Sequence, residues 1–445
     1  SVLTHDAVRI LQPTSGTSAA AKLIPFTRSL AQEFRAALDA WIADLFLQRP
    51  RLALGCQYWS ISPATGTAAP PDGRVPVGFL DDAEYFGKRR RWIVDRIMAV
   101  PAAVRDIPDA EAHRYVTALF LLRARRLALL SIWHPSFLTL LLEAVREHWH
   151  SLLRDIEHGG VARAVNLPES VRARIIPCLP PAPRCARTLT QGAHDLRARA
   201  TSGMPSASPD LFTRVWPDLQ MISCWCDGNV HDDIETLKTA FPGVLIQAKG
   251  LMATEGVVSI PFGRSPRPVC AITSHYLEFL DEDGKAHPAA DLQVGHRYEV
   301  VLTTGGGLYR YRLRDRVEAT GFLGGTPRLH FHGRAGVVSD CVGEKLHIEH
   351  VEQVLKDLRA TDLQGAAFAM LVPSTNHGKP RYDLLVEKED LDSAALQRLA
   401  ETLDTALCAN YHYAHARNTG QLAHPVVTPA PRGTAARYRT SKTAQ

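Results

Sequence analysis

The chain has 445 residues, a formal net charge of +5 and 45 % apolar residues, with 30 Gly and 29 Pro. This balance excludes disorder, collagen and coiled coil, and at roughly 150 residues per domain it points to a soluble globular protein of two or three units, large enough to fold without disulfide or metal staples. Ten of the 51 cations are lysine, a skew that reads as codon usage rather than a nucleic-acid footprint.

The sequence opens at Ser1 and reaches dense chemistry by residue 14, so it reads as a chain that lacks its first segment. Leu30, Phe34, Leu38, Trp41, Ile42 and Leu45 recur every three or four residues and predict a helix, with Thr27 as N-cap and Pro50 as the stop. The basic run Lys88-Arg89-Arg90-Arg91 is cut off by Trp92-Ile93 and reads as a solvated helix face. The apolar stretch 127–145 follows Arg123, Arg125 and Arg126 and carries His134-Pro135, so it predicts two buried helices rather than a membrane span. The second of these starts at Ser136 and runs through Leu140, Leu141, Val145, Trp149, Leu152 and Leu153 to a Gly159-Gly160 C-cap. Residues 177–217, rich in Pro, Ser and Arg, predict a long surface connection with at most one short helix over 193–200.

Beyond Trp216 the texture changes to short β-branched and aromatic runs that predict strands over 243–247, 257–260, 269–279 and 298–303. Residues 298–304, then Gly305-Gly306-Gly307, then 308–312 read as a hairpin whose turn needs the positive φ that only Gly takes cheaply. A smaller unit follows from about Arg328: strand 329–333, helix 348–358, strands 366–372 and 382–386, helix 393–407. The expected boundary lies near Gly333-Arg334, dividing domains 1–332 and 333–445, and no internal repeat is visible.

Three segments carry chemistry. Thr14-Ser15-Gly16-Thr17-Ser18-Ala19-Ala20-Ala21-Lys22 is not a Walker loop, yet its hydroxyls, backbone N–H groups and lysine charge suit a polyphosphate; taken alone, such a run is more often a plain surface turn. In Lys249-Gly250-Leu251-Met252-Ala253-Thr254-Glu255-Gly256, a carboxylate after a predicted buried strand is placed to hold Mg²⁺ beside nucleotide phosphates, the alternative being a surface cap or ion pair. In Leu308-Tyr309-Arg310-Tyr311-Arg312-Leu313-Arg314-Asp315, with Gly333-Arg334 later, an aspartate suits two ribose hydroxyls and a guanidinium suits ribose or phosphate; the alternative is a strand with arginines on its solvent face. The eight cysteines are scattered without CxxC spacing and read as free thiols in a reducing cytoplasm. His347-Ile348-Glu349-His350 departs from His-Glu-x-x-His and reads as a helix start that caps and packs, and no Ser nucleophile elbow occurs.

In this order the three segments resemble the adenylate-forming superfamily of acyl-CoA synthetases, luciferases and peptide-synthetase adenylation domains. Together with Leu23-Ile24-Pro25-Phe26-Thr27, Ile132-Trp133-His134-Pro135-Ser136, Ile260-Pro261 and Gly343-Glu344-Lys345-Leu346, they resemble the bacterial members of the Gretchen Hagen acyl-acid amido synthetases, the auxin-conjugating family of plants, over nearly the whole chain. The resemblance implies an α/β fold, with a large N-terminal adenylate-forming domain of mixed sheets and helices and a small C-terminal α/β lid. It implies a two-step ligase using ATP and Mg²⁺: a carboxylate attacks the α-phosphate, pyrophosphate leaves, and an amine, usually an amino acid, attacks the acyl-adenylate. Ser15, Gly16, Thr17, Ser18 and Lys22 would hold phosphates, Thr254 and Glu255 the α-phosphate and Mg²⁺, Asp315 the ribose, and Arg334 the hinge near the nucleotide. Cys224-Trp225-Cys226-Asp227-Gly228 would be a strand end lining the acyl pocket. The partners expected are a small carboxylic acid and an amine, with no nucleic acid or membrane.

The sequence departs from the family at Ala19 and Ala20, where relatives tend to have Gly, at Gly336, where they place an acid, and at the C-terminus, where Lys442 lacks the Gly-x-x-Lys-Pro context of the superfamily's catalytic lysine. An acyl-CoA or carrier-protein ligase on the same fold, and a catalytically impaired nucleotide- or acyl-binding homologue, are the alternatives.

Overall fold

The computed structural model describes residues 4–13, 23–60, 75, 96–162, 165–200, 211–227, 230–334, 338–339, 341–342, 344, 346–374, 379–418 and 422–443. Lys88-Arg89-Arg90-Arg91 lies outside them. The chain divides into two compact units, Ser1–Leu313 with Val317–Phe331, and Arg314–Arg316 with His332–Gln445.

The first unit opens with strands β1 (Ile10–Pro13) and β2 (Leu23–Phe26), antiparallel with Ile10 opposite Phe26 and Pro13 opposite Leu23. Helix α1 (Arg28–Gln48) follows, and the Thr27 side chain accepts from the Leu30 N–H as the N-cap its position predicts. Leu30, Phe34, Trp41 and Leu45 are buried along one face.

Strands β3 (Cys56–Trp59), β4 (Leu127–Ser131), β5 (Met221–Cys224) and β6 (Leu245–Ala248) form a parallel sheet in sequence order. Between them run helices α2 (Ala110–Arg123), α3 (Pro135–Glu147), α4 (Trp149–His158), α5 (Glu169–Ile175), α6 (Pro183–Ala200), α7 (Leu211–Val215) and α8 (His231–Ala240). Tyr58, Leu130 and Ile222 enter a large core with residues of α2 to α8, while Leu129 and Met221 pack with Leu45 of α1. The sheet is thus covered on both faces, as parallel sheets are.

That burial corrects the reading of 127–145 as two helices. Its first part is β4, all five residues buried, and a strand buried on both faces loses the alternation that separates it from a buried helix. The helix expected from Ser136 to Gly159 breaks at His148, which ends α3 and begins α4. Gly159 and Gly160 follow with φ of 79° and 85°. The expected surface connection over 177–217 holds α6 and α7, because Ala186, Leu189, Phe212 and Val215 reach the core. No helix among the described residues is long and apolar enough to cross a membrane.

Two short strands, β7 (Met252–Ala253) and β8 (Gly256–Val257), form a small hairpin. A seven-stranded sheet then assembles from β9 (Ser259–Ile260), β10 (Val269–Cys270), β11 (Tyr276–Leu280), β12 (Ala286–Pro288), β13 (Arg297–Thr303), β14 (Tyr311–Leu323) and β15 (Thr326–Arg334), ordered β12-β11-β13-β14-β15-β10-β9. The expected hairpin is the β13–β14 connection, but of its glycines only Gly307 has positive φ, at 98°. Gly305 and Gly306 are small for another reason: a Cβ would lie 2.7 Å from Ser29 Cβ and 3.1 Å from Leu30 Cδ2 of α1.

In the second unit β16 (Val338–Ser339) pairs with β17 (Leu346–His347). A three-stranded sheet joins β18 (Phe368–Ser374) antiparallel to β19 (Arg381–Glu387) and β19 parallel to β20 (Val426–Pro429). Helices α9 (Ile348–Arg359) and α10 (Ser393–Leu407) stand where the pattern predicts them, while α11 (Tyr411–Asn418), β20 and α12 (Thr434–Thr443) extend the unit beyond the elements predicted. Its core, with Val354, Tyr382, Leu384, Leu403 and Tyr413, is its own.

Candidate active site

Thr254 and Glu255 form the tip of the β7–β8 hairpin, since Ala253 pairs with Gly256 and Met252 with Val257. The sequence puts Glu255 just after the strand at 243–247. The chain instead turns back first, because Gly250 approaches Ser259 so closely that a Cβ would lie 1.8 Å from the Ser259 carbonyl oxygen, and the Leu251 N–H donates to Ser259 Oγ at 2.9 Å.

Glu255 is 4 % exposed, and the Tyr311 hydroxyl donates to its Oε1 over a long 3.4 Å. A buried carboxylate so lightly bonded is costly unless a cation faces it. The donor is a hard oxygen of the kind Mg²⁺ takes, and Mg²⁺ is commonly held by one or two carboxylates together with substrate phosphates. Among the described residues no group of three His, Cys, Asp or Glu gathers that could hold a metal. As a buried hard-oxygen donor with one long hydrogen bond among the described residues, Glu255 fits such a cation.

A further group, His275 with Glu33, stands behind this turn. His275, whose side chain is 0 % exposed, places Nδ1 2.8 Å from Glu33 Oε2 of α1, and its ring lies against Gly256. Both oxygens of Glu33 also accept the Gly305 N–H, at 2.9 and 3.1 Å. At the end of β6, buried Lys249 sets its ammonium 4.6 Å from the Trp133 ring centroid and 5.8 Å from that of Trp41, a cation–π arrangement. Trp133 belongs to the segment before α3, where the His134 side chain accepts from the Ser136 N–H as N-cap.

Asp315 lies in β14, buried at 7 % exposure, directly after Arg314, whose φ of 63° is unusual for a side-chain-bearing residue. It groups with the second unit. Arg310, just before β14 with φ of 45°, and Arg312 within it are exposed and bound to carboxylates, Glu278 at 3.0 Å and Glu299 at 2.8 Å; Arg312 lies as a solvent-facing strand predicts. Arg334 ends β15 after Gly333, whose φ is 95°; its side chain, like that of Lys442 on α12, lies outside the description. Ser15, Gly16, Thr17, Ser18, Ala19, Ala20 and Lys22, and Gly336, also lie outside the described residues; β1 and β2 flank the first seven.

Other motifs resolve as structure. Glu344 is fully buried and accepts from the Cys341 and Val342 N–H groups, each at 2.8 Å, and from the Tyr382 hydroxyl at 2.5 Å. His350, partly buried, sets Nε2 3.3 Å from the Leu407 carbonyl, while exposed His347 stands at the N-cap of α9 without a side-chain bond, so neither caps through its side chain. Cys224 Sγ is 3.9 Å from Cys226 Sγ, and that contact together with burial pushes the Cys224 thiol well above the usual range. Of the predicted site residues, the structure thus sets Thr254 and Glu255 on one turn, and it adds Tyr311, Glu33 and His275 around it. Tyr311 stands inside a quoted motif. Glu33 and His275 carry no local signal, because their pairing spans 242 residues.

Sequence profiles of three domains match the chain: the GH3 family N-terminal domain over residues 1–246, the GH3 family central domain over 269–334 and the GH3 family C-terminal domain over 348–445. The chain belongs to the GH3 family. The probable indole-3-acetic acid-amido synthetase GH3.12 of Oryza sativa subsp. japonica is 26 % identical over 365 residues, covering 72 % of this chain and 58 % of that one. The indole-3-acetic acid-amido synthetase GH3.8 of Oryza sativa subsp. indica is 31 % identical over 226 residues, 46 % of this chain and 35 % of its own. This GH3 chain therefore spans about half the length of the curated relatives it matches. The solved GH3.15 acyl acid amido synthetase shares the fold, with a TM-score of 0.81 over 99 % of this chain and 77 % of that one at 19 % identity.

Proposed function

We propose that the chain is an ATP-dependent ligase that adenylates a carboxylic acid and transfers the acyl group to an amine, with an amino acid as the expected acceptor. The observation that carries this reading is Glu255, a buried carboxylate with one long hydrogen bond among the described residues, on a two-residue turn, in a chain matched by all three GH3 domains. In step one the acid's carboxylate oxygen attacks the α-phosphorus of ATP and pyrophosphate departs. In step two the amine nitrogen attacks the acyl carbon, AMP departs and the amine's proton goes to solvent. Neither step needs a protein nucleophile; positioning and electrostatic stabilisation serve both. Mg²⁺, when bound, neutralises phosphate charge, and Glu255 is the side chain to hold it. Thr254 would donate to the α-phosphate, Ser15, Gly16, Thr17, Ser18 and Lys22 to the departing phosphates, Asp315 would accept from the ribose, and Arg334 would sit at the hinge. A reducing compartment such as the cytoplasm suits the eight free cysteines.

The test is incubation with ATP, Mg²⁺, a panel of aryl and alkyl carboxylic acids, and hydroxylamine as acceptor. Pyrophosphate release that depends on particular acids is the expected result, and replacing hydroxylamine by amino acids or by coenzyme A separates an amide from a thioester ligase. Rapid ATP hydrolysis without any acid, or no nucleotide binding, rejects the reading.

A further inference from the structure

We propose that Glu33 and His275 are a positioning pair, which locks the Thr254-Glu255 turn and the Gly305 turn to helix α1 and so sets Glu255 for its task. The proposal rests on the function proposed above. Three chain segments meet at this pair. The Glu33 carboxylate, from the second turn of α1, accepts the Gly305 N–H at 2.9 and 3.1 Å and lies 2.8 Å from His275 Nδ1. The Ser274 hydroxyl donates to the Glu33 carbonyl at 3.1 Å, so the His275 backbone is tied to the same helix. The far edge of the imidazole meets Gly256: a Cβ there would lie 2.9 Å from both Cδ2 and Nε2. Gly256 is the residue after Glu255, and it must be glycine for the ring to lie there.

The chemistry of the pair makes Glu33 decisive. An ionised carboxylate only accepts, so Nδ1 carries the proton and, in the neutral ring, Nε2 is left as an acceptor. Nε2 is buried and has no partner among the described residues. Among the described residues the ring is therefore held by hydrogen bonding from one side alone. Removing the Glu33 carboxylate leaves the buried Nδ1–H and the partly buried Gly305 N–H without their acceptor, and releases the ring on which the Thr254-Glu255 turn rests. Thr303, the last residue of β13, and Gly305 begin the connection to the strand that carries Tyr311, the hydrogen-bond partner of Glu255. Both sides of the Glu255 environment are thus referred to one carboxylate.

The experiment uses the full chain with Glu33→Ala, Glu33→Gln, His275→Leu and His275→Asn, the last keeping a donor near the Nδ1 position. Two readouts are taken: amide hydrogen exchange over 252–257 and 303–309 without nucleotide, and ATP–pyrophosphate exchange at saturating acid and ATP. Misplacement by about 1 Å costs on the order of 10²-fold in rate, so Glu33→Ala and His275→Leu should lose that much in kcat while KM for the acid moves by about twofold or less. His275→Asn and Glu33→Gln should recover most of the rate. Glu33→Ala should lose protection in both segments. Tyr115→Phe, which removes a buried hydrogen bond to Asp155 in the helical core, is the control for general loss of stability and should keep wild-type kcat. If Glu33→Ala leaves protection unchanged in either segment, or loses protection yet keeps kcat, the pair is not a positioning device. Should Glu33→Ala fail to fold, His275→Leu against His275→Asn decides the same point. A wild type that exchanges no pyrophosphate with any acid overturns the proposed function instead, and that arm alone decides it.

Discussion

A carboxylate that is 4 % exposed and, among the described residues, meets one hydroxyl at 3.4 Å is a poor structural group. Glu344 is the contrast: equally buried, it accepts from two backbone N–H groups and a tyrosine hydroxyl, and those bonds outweigh the burial that pushes its carboxyl up and hold it below the usual range. Among the described residues Glu344 is fully satisfied, whereas Glu255 has a single long hydrogen bond. The difference makes Glu255→Gln informative, because the amide keeps the shape and an acceptor for Tyr311 while losing the charge. The variant should melt close to wild type and lose roughly 10²- to 10³-fold in Mg²⁺-dependent adenylation, the scale of removing one preorganised electrostatic contact. Pyrophosphate exchange measured across Mg²⁺ concentrations checks it, and near wild-type exchange would show that this carboxylate does not serve the nucleotide.

At the scale of elements, two glycines flanking β6 differ in what they require. Gly243 has φ of 82° with nothing within 4 Å of an added Cβ, so Gly243→Ala should cost about 1–2 kcal/mol of left-handed strain. Gly250 has no strained φ but no space, its Cβ position lying 1.8 Å from a backbone oxygen, so Gly250→Ala forces the β7–β8 hairpin to move and should cost more, about 3 kcal/mol or above. Urea unfolding of the two variants checks the order, and equal midpoints would remove the close approach as the reason for the turn-back. The same elements show what the sequence could carry. Helix α1 was legible because only one face is buried, so its apolar residues keep a three-to-four spacing. β4 was not, because both its faces are buried and its residues read as an unbroken apolar run. Helix α6 was hidden by its arginines, which leave Ala186 and Leu189 as sparse core contacts. In the site, Glu255 was legible through local order, Ala-Thr-Glu-Gly after a strand. Glu33 was not, since an acid on an amphipathic helix reads as solvated until His275 is brought to it from 242 residues away.

At the scale of the whole molecule, the two units bury separate cores and differ in which buried groups titrate. His113 in α2 is 1 % exposed, and burial, with Arg114 nearby, lowers its pKa to about 4 from 6.5. The folded value lies below the unfolded one, so the unfolded state binds the extra proton first: stability is complete above pH 6.5 and is lost as pH falls from there towards about 4, by about 3 kcal/mol in all. Among the described residues of the second unit, the groups shifted in the acid range are carboxylates. Burial raises Asp404 and Glu344, but Arg417 and Tyr413 around the first, and Tyr382 with the Cys341 and Val342 amides around the second, bring both below the usual range. Their contribution is present above the unfolded carboxylate value, about 4, and is lost only as pH falls through the lower folded values. Between pH 6.5 and 4.5 the first unit should therefore weaken while the second holds. The sequence supplies the probe, because all seven tryptophans (Trp41, Trp59, Trp92, Trp133, Trp149, Trp216 and Trp225) precede residue 313 and report the first unit alone. Urea midpoints from tryptophan fluorescence should fall over this range, while a transition seen by circular dichroism without a fluorescence change, from the second unit, should keep its midpoint. His113→Leu should flatten the fluorescence-detected dependence, and an unchanged slope in that variant would assign the acid sensitivity of the first unit to some other group.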